Sequence, residues 1–164
     1  ATLAQGAATA FAVWRAQDLS NTSWSFAALA VLDVPLLEAI ASAARPIIWE
    51  FDPQGLGNTA WSMSSISFVD GPLLTAIAAA SIARIRDFRP LGLAGIAWSC
   101  ARLSFENCPL RDALAAAALA PMSEFLPLDL SRTAWSLATL LLRPAPLLDA
   151  IAAQAIKSMP APSS

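Results

Sequence analysis

Asn58-Thr59-Ala60-Trp61-Ser62 is the stretch that organises this chain of 164 residues, because close copies of it recur at a fixed interval. Its tryptophan is one of four that stand 37 positions apart, namely Trp24, Trp61, Trp98 and Trp135. A serine follows each of them, a leucine stands five positions before it, and a proline stands eleven positions after it. A constant period of this size is typical of a repeat array, in which each unit buries its apolar side by stacking on the next.

The period divides the chain into one all-α array, which we expect to be an α-solenoid of four 37-residue helical-hairpin repeats. The repeats span about 16–52, 53–89, 90–126 and 127–160, and a Pro/Ser tail covers 160–164. A half repeat over about 1–15 precedes them, because a shift of Trp14 by 37 positions places it on Phe51. An array that opens on half a hairpin leaves an apolar flank, which we expect more chain or a partner to cover.

Proline and aspartate positions predict two antiparallel helices of about 15 residues in each repeat. The first helix is expected to begin at Pro53 and at its equivalents in later repeats, with Asp52 as the N-cap. The second helix is expected to begin after a short turn such as Asp70-Gly71, with the aspartate as its cap. Pro46 and Pro121 fall inside second helices, where a proline kinks or breaks the helix.

The recurring tryptophans lie beside the apolar stripe of the first helix, which Leu56, Ala60 and Met63 form in the second repeat. This position predicts that Trp24, Trp61, Trp98 and Trp135 belong to the structural core of the repeats. The alternative is a stacking surface, because aromatic rings interleaved with basic residues often hold single-stranded nucleic acid.

The composition restricts the class of protein. Hydrophobic residues make up 57% of the chain, but its longest run without a charge, from Pro53 to Val69, is too short and too polar to span a bilayer. We therefore expect no transmembrane segment and a soluble or peripheral protein. The 10 basic and 12 acidic residues give a net charge of -2, whereas domains held on phosphate are usually strongly basic.

No catalytic, cofactor or metal site is expected. The chain has no histidine, and its carboxylates stand at helix starts and ends rather than in convergent pairs, so general acid–base catalysis has no evident machinery. Cys100 and Cys108 lie in one repeat and have no counterparts in the others. We expect them to be small buried residues in a reducing compartment rather than part of a disulfide framework or a metal cluster.

The candidate partner-facing positions are those that vary while the scaffold recurs. At the start of the first helix these are Asn21, Asn58, Gly95 and Arg132, a pattern typical of solenoids that read a linear partner, although plain solvent exposure predicts the same variability. Arg84 and Arg86, together with Arg89, form the one cluster of positive charge. Its position at a helix end indicates first a complement to the helix dipole and second a phosphate or carboxylate contact.

The string from Phe51 to Ser62, followed by Gly71-Pro72-Leu73-Leu74 and Ala76-Ile77-Ala78, resembles the octotricopeptide and heptatricopeptide repeat proteins of algal and other protist organelles. The period is most similar to the heptatricopeptide form. The resemblance implies a solenoid of helical hairpins, a chloroplast or mitochondrial location, and a role in RNA processing, stability or translation. This chain departs from the pattern because it is acidic. It also replaces the Asn58-Thr59 pair of the second repeat by Gly95-Ile96 in the third repeat, and it has Arg132 in place of the asparagine in the fourth.

Two functions of different classes follow from these observations. The first is a non-enzymatic scaffold or protein-interaction subunit of an organellar assembly. The alternative is an organellar RNA-binding repeat protein. The sequence pI of about 4.9 and the single lysine favour the protein partner, because both count against a groove that follows phosphates.

Overall fold

The computed structural model describes residues 14–119, 126–139 and 145–159. Nearly all of the predicted half repeat, Pro121 and the Pro/Ser tail 160–164 lie outside these ranges. Within them the chain forms eight α-helices and no strand, which confirms the all-α class. The helices are α1 Ala16–Ala28, α2 Val34–Ala44, α3 Pro53–Ser65, α4 Gly71–Ala83, α5 Pro90–Arg102, α6 Cys108–Leu119, α7 Pro127–Thr139 and α8 Ala145–Ser158.

Helix starts follow the predicted chemistry. The side chain of Asp52 accepts a hydrogen bond from the backbone amide of Gly55 at 2.6 Å, so it caps α3 as expected. The caps of α2, α4 and α6 are equally regular, because each side chain accepts from the amide three positions later. The distances are 3.0 Å for Asp33, 2.7 Å for Asp70 and 2.9 Å for Asn107.

The ends of α1, α3 and α5 also repeat. Ala30, Ser67 and Ser104 adopt the left-handed conformation, with φ of 53°, 56° and 50°. In the first of these turns the amide of Val31 donates to the carbonyl of Phe26 at 2.9 Å, which is the Schellman arrangement that closes a helix. One geometry therefore turns the chain at the ends of α1, α3 and α5 towards the helix that follows each of them.

The second helices are shorter than predicted. α2 ends at Ala44, and a 3₁₀ helix follows over Arg45–Glu50, in which Ile47 has non-helical angles of φ -109° and ψ 17°. Pro46 explains this break, because it cannot donate the amide hydrogen bond that would continue the α-helix. α4 has no proline there, yet it also gives way to a 3₁₀ helix over Ile85–Asp87.

Helices contact one another in a regular order along the chain. The most extensive contacts run from α1 to α3, from α3 to α5 and from α5 to α7. The even-numbered helices contact one another in the same order, and each odd-numbered helix contacts the even-numbered helix that follows it. Leucines at one register, Leu19, Leu56, Leu93 and Leu130, are buried between them.

Small polar residues let the odd-numbered helices approach closely. Ser20 Oγ donates to the carbonyl of Gly55 at 3.3 Å, and the hydroxyls of Ser64 and Ser99 lie 3.4 Å apart. Arg102 crosses the same interface, since its Nε donates to the carbonyl of Ser64 at 2.8 Å. Each of these contacts joins two neighbouring odd-numbered helices through polar atoms in their interface.

The prediction that the recurring tryptophans belong to the core was wrong for Trp24 and Trp135. Trp24 and Trp135 are each 47% exposed, while Trp61 and Trp98 are half-buried. The reason is helical geometry, because each tryptophan stands one position, or about 100°, beyond the residue that occupies the buried side. In α3 that residue is Ala60, which is buried beside Leu56 and Met63.

Candidate interaction surface

The exposed side of the odd-numbered helices carries a repeated row of side chains. In α1, positions 17, 21, 24 and 28 fall on one helical stripe, and Gln17, Asn21, Trp24 and Ala28 are all exposed there. The equivalent residues are Gln54, Asn58, Trp61 and Ser65 in α3, Leu91, Gly95, Trp98 and Arg102 in α5, and Leu128 and Trp135 in α7. We refer to this set of residues as the tryptophan face.

Indole rings on this face lie in pairs. The ring centroids of Trp24 and Trp61 are 6.4 Å apart with an angle of 34° between their planes. Trp98 and Trp135 form a second pair at 6.5 Å and 38°. Aromatic pairs in this range attract one another, so the two rings of each pair help to orient one another.

In α1, α3 and α5 the serine that follows the tryptophan makes the same hydrogen bond. Ser62 Oγ donates to the carbonyl of Asn58 at 2.6 Å, and Ser99 Oγ donates to that of Gly95 at 2.8 Å. The equivalent bond in α1 joins Ser25 to Asn21 at 2.8 Å. The serine thus binds its own helix four positions back, and the tryptophan beside it stays on the exposed side.

A groove of about 370 Å³ lies between the N-terminal ends of α1 and α3. Amide side chains from both helices line it, as do two carboxylates from the segment before α3. These residues are Gln17, Asn21, Gln54, Asn58, Glu50 and Asp52. The groove therefore brings together Asn21 and Asn58, two of the predicted partner-facing residues, and it adjoins the pair of Trp24 and Trp61 along the same helical stripes.

The groove has an acidic character. Glu50 is exposed, and Asp52 directs one oxygen to the amide of Gly55. Arg15 also lines the groove, but its Nε lies 3.3 Å from Asp18 Oδ2. The backbone amide of Arg15, followed by its guanidinium, lowers the pKa of the Asp18 carboxyl, so this arginine already has a charged partner.

The next junction along the array has a different set of polar and charged side chains. Between α3 and α5, the residues equivalent to Asp52, Gln54 and Asn58 are Arg89, Leu91 and Gly95. A carboxylate and two amides are thus replaced by a guanidinium, an apolar side chain and a bare backbone. Asp87 stands at the position equivalent to Glu50, but its Oδ2 lies 3.9 Å from Arg84 Nε, so the carboxylate of this junction is paired with an arginine.

An intramolecular cation–π contact on the tryptophan face was not anticipated from the sequence. The guanidinium carbon of Arg102 lies 5.5 Å from the centroid of the Trp98 ring, a favourable position for a cation over an indole. The spacing of four residues within one helix was the available signal. Ala28 and Ser65 occupy the equivalent positions in α1 and α3, so neither helix supplies such a cation to its own tryptophan.

The other predicted candidates have different surroundings. Gly95 shares the register of Asn21 and Asn58 and contributes no side chain, and the side chain of Arg132 lies outside the described part of the structure. A guanidinium nitrogen of Arg84 donates to the carbonyl of Phe51, and its Nε lies 3.9 Å from Asp87 Oδ2. Arg84 thus ties the end of α4 to the segment before α3, while Arg86 is exposed on the 3₁₀ helix.

The two cysteines line a second pocket of about 110 Å³ at the turn between α5 and α6. Both are free thiols. Burial raises the pKa of the Cys100 thiol to about 12, whereas Cys108 is exposed at the first position of α6. The expectation that both cysteines are buried was therefore wrong for Cys108, because a side chain at a helix start is not covered by a preceding turn.

Two findings bear on chemistry and relationship. Within the described ranges, no helix is long and apolar enough to cross a membrane, and no three metal-binding side chains converge. No protein-family model matches the chain, and no curated protein is significantly similar to it.

Proposed function

We propose that this chain is a non-enzymatic scaffold whose tryptophan face holds a partner protein within an organellar assembly. Its architecture in this proposal is an α-solenoid of four 37-residue hairpins. The order of contacts supports it, because α1, α3, α5 and α7 pack one after another and each contacts the following even-numbered helix. The resemblance to octotricopeptide and heptatricopeptide repeats supports a chloroplast or mitochondrial location.

The exposure of the tryptophans is the observation that carries the proposal. Trp24 and Trp135 expose nearly half of their surface on a face that repeats along the array. Exposed apolar surface of this kind marks interaction sites, and tryptophan is enriched among the residues that dominate binding energy at protein interfaces. An indole buried by a partner would remove that surface from water.

RNA binding is the second candidate, and the same exposure favours it. Indole rings on an open face can stack with bases, and Asn21 and Asn58 beside them carry amides that can hydrogen-bond to base edges. The charge of the surface opposes it. The groove between α1 and α3 contains Glu50 and Asp52, whose carboxylates repel phosphate, and Arg15 there is paired with Asp18.

Purification of the intact tagged protein from its own organelle, with and without nuclease treatment, distinguishes the two functions. We expect a protein partner that remains bound in stoichiometric amount after nuclease treatment. We expect the double variant Trp24→Ser/Trp61→Ser to lose that partner, because both indoles leave the face together. Val69→Ser is the control, since Val69 is exposed in the turn after α3 and lies off the tryptophan face. Recovery of RNA, with loss of every partner on nuclease treatment, would reverse the assignment.

A further inference from the structure

We propose that the groove between α1 and α3, together with the Trp24–Trp61 pair, binds an extended segment of the partner protein that carries arginine residues. The inference rests on the proposed function and specifies the chemistry of the partner. Three independent features of the surface lead to it: its charge, its exposed indoles and the distance between them.

The first contact is between the acidic groove and a guanidinium of the partner. Glu50 and Asp52 both line the groove, and neither belongs to an ion pair within the described part of the chain. Four amide side chains add carbonyl oxygens that accept hydrogen bonds, namely Gln17, Asn21, Gln54 and Asn58. A guanidinium fits this lining, because it offers five N–H donors in a planar arrangement that pairs well with carboxylates.

The second contact is between a guanidinium and an indole ring, and the chain contains an example of it. Arg102 lies over the Trp98 ring at 5.5 Å, so this protein already places a guanidinium on its tryptophan face. In α1 and α3 the equivalent positions are Ala28 and Ser65, whose short side chains cannot do so. The Trp24–Trp61 pair is therefore open to a guanidinium from another molecule, and arginine stacks on indole better than lysine does.

The spacing of the two contacts sets the spacing of the arginines. Trp61 follows Asp52 by nine positions, which is about 13 Å along a helix that rises 1.5 Å per residue. An extended peptide covers about that distance in four residues, and side chains four positions apart point to the same side. The occupant that fits has two arginines four positions apart.

The junction between α3 and α5 provides an internal comparison. Arg89 there replaces the carboxylate of Asp52, and Leu91 and Gly95 replace the amides. Asp87 holds the position equivalent to Glu50 there, but its Oδ2 lies 3.9 Å from Arg84 Nε, and Arg89 repels a basic segment. Of these two junctions, the groove between α1 and α3 is accordingly the one that binds the arginine segment.

The test uses the full chain and fluorescein-labelled peptides in fluorescence anisotropy at physiological salt. The main probe is the nonapeptide Gly-Ser-Arg-Ser-Gly-Ser-Arg-Ser-Gly, which has arginines four positions apart. One comparison peptide has glutamates in place of the arginines, and another has its arginines only two positions apart. We expect the main probe to bind at least about tenfold more tightly than the glutamate peptide, and about threefold more tightly than the closely spaced one.

Variants of the chain then test whether the peptide binds in the groove. Ser65→Arg gives α3 its own guanidinium beside Trp61, as Arg102 stands beside Trp98, and we expect it to weaken binding about tenfold by occupying the ring face. Glu50→Lys should also weaken binding about tenfold, because it reverses one charge of the groove. Asp87→Lys, at the position equivalent to Glu50 in the next repeat, is the control and should change binding little. If Ser65→Arg does not fold, Ala28→Arg makes the same test from the exposed side of α1.

Two results would overturn this inference. One is equal affinity for the arginine and glutamate peptides, and the other is unchanged affinity in both Ser65→Arg and Glu50→Lys. If either occurs while the purified assembly keeps a nuclease-resistant protein partner, the arginine segment is refuted and the scaffold function stands. Sub-micromolar binding of a labelled single-stranded RNA to the same chain, abolished by Ser65→Arg, would refute both.

Discussion

The indole rings of Trp24 and Trp61 lie 6.4 Å apart between centroids, although 37 positions of the chain separate the two residues. They meet because they hold the same register on α1 and α3, which pack side by side. The contact lies on the exposed side of both helices, so the repeat builds a surface as well as a core.

The first prediction compares a tryptophan of the surface with a leucine of the core. Trp24→Ala should lower the free energy of unfolding by only about 1–2 kcal/mol, because half of the ring is already in water. Leu56→Ala should cost about 2–5 kcal/mol, because Leu56 is fully buried and its loss leaves a cavity. Urea unfolding followed by circular dichroism measures both, and equal losses would mean that the tryptophan belongs to the core.

The second prediction concerns two glycines of α3. A methyl group added at Gly57 would meet no atom within 4 Å, so Gly57→Ala should stabilise the protein by about 0.5–1 kcal/mol through helix propensity. A methyl group at Gly55 would lie 3.1 Å from the capping oxygen Asp52 Oδ1 and 3.4 Å from the Phe51 ring. Gly55→Ala should therefore bring no gain in thermal unfolding, and equal stabilisation at both sites would contradict this account of the cap.

The third prediction concerns a buried hydroxyl. Ser81 Oγ is fully buried in α4 and has no hydrogen-bond partner among the residues that the structure describes, and the residues at the equivalent positions are Ala44, Ala118 and Ala155. Ser81→Ala should therefore stabilise the protein by about 1 kcal/mol, because the unpaired hydroxyl no longer has to be desolvated. Ser64→Ala is the comparison and should cost about 1 kcal/mol, since Ser64 Oγ donates to the carbonyl of Trp61 at 2.8 Å. A loss of stability in Ser81→Ala, measured in urea, would count against the unpaired hydroxyl.

The fourth prediction uses the two thiols. Burial raises the pKa of Cys100 from 9.0 to about 12, so the folded protein holds this proton more tightly than the unfolded chain does. The resulting stabilisation is complete below about pH 9 and is lost as the pH rises towards 12, because the unfolded chain ionises first. Cys100→Ala should remove this part of the pH dependence in urea titrations between pH 8 and about pH 10. Cys108→Ala should keep it.

Thiol labelling checks the same burial independently. In the native protein a thiol-specific disulfide reagent should react rapidly with Cys108, which is exposed, and with Cys100 only after unfolding. Rapid reaction of both thiols under native conditions would show that the pocket at the turn between α5 and α6 opens freely.

Much of the fold could be predicted from the sequence because it depends on local chemistry. Asp52 caps α3, Asp70 caps α4, and Pro46 ends the α-helical part of its segment, as the residue types require. The direction of the tryptophans could not be predicted in the same way. A helix that is apolar over more than half of its circumference does not reveal which apolar residue faces outward.

Contacts between side chains of different repeats could not be predicted from the sequence either. Arg84 was interpreted as part of a cluster that complements a helix dipole, whereas its guanidinium binds the carbonyl of Phe51, which lies 33 positions earlier in the chain. The groove between α1 and α3 likewise combines side chains from two repeats. The periodicity places Asn21 and Asn58 in register, but only the packing of the helices shows that Glu50 and Asp52 lie beside them.

Radical footprinting of the tryptophans in the native assembly tests the central claim most directly. Oxidation of each ring is quantified by mass spectrometry in the free chain and in the purified, nuclease-treated assembly. The account predicts that Trp24 and Trp61 become protected at least about fivefold by the protein partner, as expected for rings buried in an interface. Trp49, which is 59% exposed on the 3₁₀ helix after α2, should react at the same rate in both. Oxidation of Trp24 and Trp61 as fast in the assembly as in the free chain, or protection that disappears on nuclease treatment, would contradict the claim that this face holds a protein.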